Sequence, residues 1–141
     1  IPEANKVTLY CAKHNKKLVE LKLGSDGMFV GEFKTPTEDD FIYAVLAEYA
    51  SGEYRSIDPY QFQVEAYHAV HFVDHQPENL YQQIGAQLAE SKGVSGVCFA
   101  VFAPNASAVS VIGDFNIWNR LSHPMQKTDL GYWVLFIPGL K

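Results

Sequence analysis

The chain has 141 residues, and its 11 Lys and Arg against 16 Asp and Glu give a formal charge of −5. With 48% apolar and 19% charged residues it has the composition of one folded domain or two small ones, which excludes disorder as the main state. The acidic balance, with no basic run longer than Lys16-Lys17, removes the attraction on which binding to nucleic acid or an acidic membrane rests, and no window holds the ~18 consecutive apolar residues of a spanning helix.

The opening stretch from Ile1 to Lys6 has no apolar signal core, so the chain reads as soluble and not exported. Val7-Thr8-Leu9-Tyr10 alternates at period two and predicts a strand. Leu18 to Leu23 predicts a second, reversed by Gly24-Ser25-Asp26-Gly27, and the aromatic-rich Gly27 to Phe33 a third. Pro36-Thr37-Glu38-Asp39-Asp40 reads as a solvated acidic turn, and Phe41 to Tyr49 as a strand ended by Ser51-Gly52-Glu53. Next the texture changes. Ala66, Tyr67, Val70 and Val73 have helical spacing, and Pro77 to Gly85 opens with Pro and closes with Gly as a short helix does, so a structured connector is expected here. Strand chemistry then resumes at Gly96 to Phe102, Val109 to Ile112 and Gly131 to Ile137.

The strands before and after the connector are related. Pro2, Ala4, Val7 and Leu9 recur at the same spacing as Pro104, Ala106, Val109 and Val111, and Gly27 to Phe33 corresponds to Gly131 to Ile137 with two further residues inserted. Short strands separated by glycine turns indicate β-sandwiches. The first copy lacks the strand that precedes Pro104 in the second, and the second stops at Lys141, before the strand that the first has at Phe41 to Tyr49. Each sandwich would leave an unpaired edge, which predicts a piece of a longer polypeptide. The expected fold is thus all-β: residues 1–62 an N-terminal sandwich without its first strand, 63–88 a helical connector, and 89–141 a second sandwich without its C-terminal strands.

Little in the chain promises catalysis. His68, His71, Asp74 and His75 have spacings that would align them on one helical face, but no Glu follows the first His as in a zinc-protease helix, so a solvated histidine-rich face is the expectation and no metal is assigned. Cys11 and Cys98 are too few for a disulfide framework and form no Cys-x-x-Cys pair; both are expected to be reduced and buried. No opposed carboxylate pair, nucleophile elbow or glycine-rich phosphate loop is evident, so no catalytic residue and no cofactor are predicted. Asp114 lies in a turn, where Asp usually caps backbone N–H groups.

The informative segment is Gly113-Asp114-Phe115-Asn116-Ile117-Trp118-Asn119. A flat indole can stack on the apolar face of a glucose ring while the Asn116 and Asn119 amides bridge its hydroxyls. Equally, Trp118 would cap one end of the sandwich and the two Asn would hold the turn.

Together with Gly93 to Ala106, which ends in Phe102-Ala103-Pro104-Asn105-Ala106, and with His123-Pro124-Met125 and Gly131 to Gly139, this segment resembles the family 48 carbohydrate-binding module of bacterial glycogen branching enzymes. Asp58-Pro59-Tyr60-Gln61-Phe62 is similar to the end of the extra N-terminal immunoglobulin-like sandwich of the longer enzymes, and Leu80 to Ala86 to their connector. The resemblance implies a parent of glycoside hydrolase family 13, cytoplasmic, that cuts an α-1,4-glucan through a covalent glycosyl intermediate and reattaches the piece as an α-1,6 branch of glycogen. It further implies that the nucleophile and acid/base lie in a barrel of the same polypeptide beyond Lys141, that the partners are α-glucan and that barrel, and that Trp118 stacks on glucan as in related glycogen-binding domains. Phe102 stands where the family usually has Trp, and Gln87 where it often has His; both departures read as structural. A stand-alone glycogen-binding regulatory module is the alternative, and a purely structural tandem of sandwiches a third reading.

Overall fold

The computed structural model describes residues 3–35, 41–62 and 84–141, which form two compact units, Ile1–Asp58 and Pro59–Lys141. The acidic turn at 36–40, the histidine cluster and all but the last residues of the connector lie outside the described residues.

The first unit is one antiparallel sheet of order β3-β2-β1-β4-β5, built from β1 (Lys6–Cys11), β2 (Lys16–Leu23), β3 (Phe29–Val30), β4 (Tyr43–Tyr49) and β5 (Gly52–Ile57). The alternation of β1 puts Val7 opposite Ala47 of β4, both with no exposure, and Ala4, Leu21, Phe29, Val45 and Tyr49 complete the cluster. Lys6, opposite Glu48, reaches that carboxylate at 3.2 Å and Glu20 at 3.6 Å. Past β5 the Tyr43 hydroxyl donates to Asp58, and burial, reinforced by that carboxylate, pushes the phenol well above its ordinary pKa.

In the second unit the sheet order is β6-β7-β9-β8, with β6 (Gly85–Ser91), β7 (Val94–Phe102), β8 (Gln126–Lys127) and β9 (Tyr132–Pro138). β9 is covered on both faces, which is why its sequence is an apolar run and not an alternation. Trp133, Leu135 and Ile137 join Met125 in the main core with Phe99, Ala103, Ala106, Val109, Val111 and Leu140 around them. On the opposite face Val134 packs with Ala100 and Cys98, and the Phe136 ring meets Phe62 at 5.1 Å. Phe62 follows a short 3-10 turn, Pro59–Gln61, so this turn belongs to the second unit and the units divide four residues before the expected boundary at 62. Trp133 is a structural tryptophan: its indole N–H donates to the Ala103 carbonyl at 2.9 Å and Lys127 lies over its ring. Phe102 is half exposed and packs on the Tyr132 ring at 4.9 Å.

The all-β expectation is met by two antiparallel sheets, and the described residues contain no α-helix. At the end of the connector the structure differs from the expectation, because residues 85–88 are strand. Gly85 opens β6 with φ of 93°, and β6 runs in unbroken register with β7 from Gly85↔Ala100 to Ser91↔Val94. Lys92 and Gly93 close this hairpin with φ of 51° and 74°, the paired positive angles of the tight turn that matches strand twist. Both cysteines are free, Cys11 buried and Cys98 only half-buried, with burial pushing the Cys98 thiol up to about 11.

The repeat seen in the sequence is also a repeat of pairing. In the first unit Val7 lies opposite Leu21, and β3 pairs with the next two residues of β2, Lys22 and Leu23. In the second, Val109 accepts from Met125 N–H, Val111 donates to the His123 carbonyl, and β8 then pairs with β9. Segment 109–111 is therefore a single bridge, Ser110↔Pro124, and not the expected full strand. Pro124 fits because it occupies a non-hydrogen-bonded position, where its missing N–H leaves nothing unpaired. The two inserted residues fall between Val111 and His123, in the turn that carries Trp118.

Candidate functional site

The turn from Gly113 to Ser122 grows from a local network. Asp114–Asn116 is a single 3-10 turn, and Ile117 and Trp118 follow it with φ of 53° and 57°. Two successive non-glycine residues in the left-handed region, one of them β-branched, require compensation from their surroundings. It comes from the backbone bonds Ile117 N–H to Asp114 O at 3.2 Å and Trp118 N–H to Gly113 O at 2.9 Å, and above all from Asn116.

Asn116 is buried, and its carboxamide braces the turn from inside. Its Oδ1 accepts from Gly113 N–H at 3.0 Å while Nδ2 donates to the Val111 carbonyl at 2.9 Å and to His123 Nδ1 at 3.0 Å. The His123 ring, held edge-on by Phe115 at 5.4 Å, has its pKa lowered by burial. Gly113 is extended; a side chain there would meet the Phe115 ring at 2.7 Å.

On the outside of the turn Trp118 is 63% exposed, and its indole N–H donates to Asp114 Oδ1 at 2.9 Å. Ile117 at 89% and Leu121 at 79% are more exposed still, so the ring stands on an apolar prominence. Asn119 is exposed; its Oδ1 accepts from Leu121 N–H at 2.9 Å and its amide nitrogen has no partner among the described residues. Of the three residues expected at a sugar site, Trp118 and Asn119 are therefore presented to solvent, whereas Asn116 is committed to the interior. The reading of Asp114 as a cap on backbone N–H groups missed its part here, which is to accept from an indole. No spacing rule announces such a bond in a segment that is neither helix nor strand, and the His123 contact likewise arises only from the bridge that brings Val111 beside His123.

Residues 83–141 match the family described as carbohydrate-binding module 48 (isoamylase N-terminal domain). The whole chain is 50% identical to a 1,4-alpha-glucan branching enzyme of Pseudoalteromonas atlantica, covering 20% of that protein. It is likewise 38% identical to the enzyme of that name from Pseudomonas fluorescens and 33% to that from Nitrobacter winogradskyi, again with all of this chain and 19% of each relative covered. The chain thus spans about a fifth of the length of the curated relatives it matches. The chain is thus similar from end to end to part of the 1,4-alpha-glucan branching enzymes, and its residues 83–141 are similar to the carbohydrate-binding modules of family 48.

Proposed function

We propose that the turn 113–122 is an α-glucan-binding surface, and that the chain is the accessory region of a cytoplasmic glycogen branching enzyme whose cutting and re-joining of chains is done by a barrel of the same polypeptide. The observation that carries this reading is the exposure of Trp118 on a turn braced from within, in the module that matches a carbohydrate-binding family. A large aromatic left in water beside other exposed apolar groups marks a binding surface. Trp118 supplies the stacking platform, Asn119 a free amide donor for a sugar hydroxyl, and Asn116 the frame that holds both. By keeping a glucan chain close to the reacting centre, such a surface orients the donor and influences the length of segment transferred.

The test is affinity electrophoresis of the full-length polypeptide in gels cast with glycogen. Trp118→Ala should weaken retention by about 2 kcal/mol, or roughly thirtyfold, as expected for loss of a central aromatic anchor, with the thermal unfolding midpoint nearly unchanged. Retention equal to that of the unaltered protein would return Trp118 to a purely structural role.

A further inference from the structure

We propose that Asp114 is a positioning residue for glucan binding, its carboxylate holding the Trp118 indole in a fixed orientation on the turn. The inference rests on the reading of Trp118 as the glucan platform and adds a residue to it. An indole that is 63% exposed has little packing to restrict its side-chain torsions. Left free, it would have to be ordered at the moment a sugar binds, and that ordering subtracts from affinity. The bond from Nε1 to Asp114 Oδ1 at 2.9 Å, charge-assisted and between residues four apart, supplies the order beforehand.

Two further observations support this role. The backbone under the indole is already constrained: Ile117 accepts a left-handed φ and donates its N–H to the carbonyl of the same Asp114, so one residue holds both the main chain and the ring. The indole N–H is also consumed by the protein. A sugar hydroxyl therefore finds no donor on Trp118 and meets it through the ring face, with hydrogen bonding left to neighbours such as Asn119.

Three variants of the full-length polypeptide, Asp114→Ala, Asp114→Asn and Trp118→Ala, separate this proposal from the reading beneath it. Asp114→Ala should lower retention in glycogen gels roughly three- to tenfold, the cost of ordering one large side chain, with an unchanged unfolding midpoint. Asp114→Asn keeps an oxygen acceptor and should restore retention to within about twofold. With 5-fluorotryptophan incorporated and the Trp118 resonance assigned by its loss in Trp118→Phe, Asp114→Ala should change the ring's relaxation toward that of a mobile side chain before any glucan is added, a signature that a merely structural role would not produce. Full retention in Asp114→Ala beside loss in Trp118→Ala would overturn the positioning role and leave the glucan reading standing. Full retention in Trp118→Ala would overturn both. An unchanged fluorine signal in Asp114→Ala, or loss in Asp114→Asn equal to that in Asp114→Ala, would overturn the positioning role on its own.

Discussion

Asn116 engages both ends of its carboxamide within the turn, and that favours the neutral form of His123 in the fold. Because Oδ1 is taken by Gly113 N–H, the amide cannot be flipped, and Nδ2 must present its hydrogens to the Val111 carbonyl and to His123 Nδ1. Nδ1 is therefore an acceptor, and a proton placed there would set N–H against N–H. Burial acts in the same direction, lowering the His123 pKa from its ordinary 6.5. The folded protein then binds this proton less readily than the unfolded chain, so stability falls as pH drops through about 6.5 and levels off once pH lies below the folded value. The His123 ring signal followed by NMR against pH should show a midpoint below 6.5, and His123→Gln should flatten that part of the stability profile. A midpoint at or above 6.5 would contradict the assignment. From the sequence Asn116 and Asn119 look alike as sugar ligands. Only the bridge between Ser110 and Pro124 separates an amide that serves the fold from one that serves the surface.

Strands reveal themselves in a sequence to the extent that they bury a face. β1, β4, β7 and β9 are internal strands, and each reads as strand because its inward residues must be apolar. β5 and β6 are edge strands, exposed along most of Gly52–Ile57 and Gly85–Ser91, so their residues carry no such pattern and their pairing comes from the hairpins that precede or follow them. The same logic shortens the expected strand from Gly27 to Phe33: β3 keeps only Phe29–Val30, and a side chain on Gly31 would meet Leu21 Cδ2 at 2.7 Å. Inside the second sheet a glycine has the opposite meaning. Gly96 lies opposite Pro138, where an added Cβ would sit 2.4 Å from the Ile137 carbonyl oxygen and 2.8 Å from Phe136 Cζ. Backbone cannot yield there as a surface side chain can. Gly96→Ala should cost about 1–3 kcal/mol by overpacking, lowering the thermal midpoint of this unit by roughly 4–8 °C for each kcal/mol. Leu88→Ala on the edge strand β6, 82% exposed, should stay within about 0.5 kcal/mol of the parent. Equal midpoints for the two variants would mean that the β7–β9 register is looser than described.

At the scale of the whole molecule the two units are variations on one meander with different additions. In the first, β4 and β5 are added beside β1; in the second, β7 and β6 are added beside β9. The shared Pro-x-Ala and glycine-aromatic segments disclose the duplication, and the pairing register confirms where the copies diverge, at the turn that carries Trp118. What the sequence leaves open is how far each unit acts alone, since that depends on which side chains share a core. The first unit is organised around Val7 and Ala47, the second around Trp133, Leu135 and Ile137. Val7 is wholly buried, and Val7→Ala deletes two methyl groups, each contributing about 0.8 kcal/mol, with a small cavity left behind, for a loss of about 2 kcal/mol. The residues that shape the turn lie from Val111 to His123 and, among the described residues, share no partner with Val7. The two effects should therefore be independent. Val7→Ala should lower the unfolding free energy seen by hydrogen exchange in β1 and β4 while retention in glycogen gels stays at the parent level. A loss of retention comparable with that of Trp118→Ala would show instead that the first unit helps to set the conformation of the binding turn.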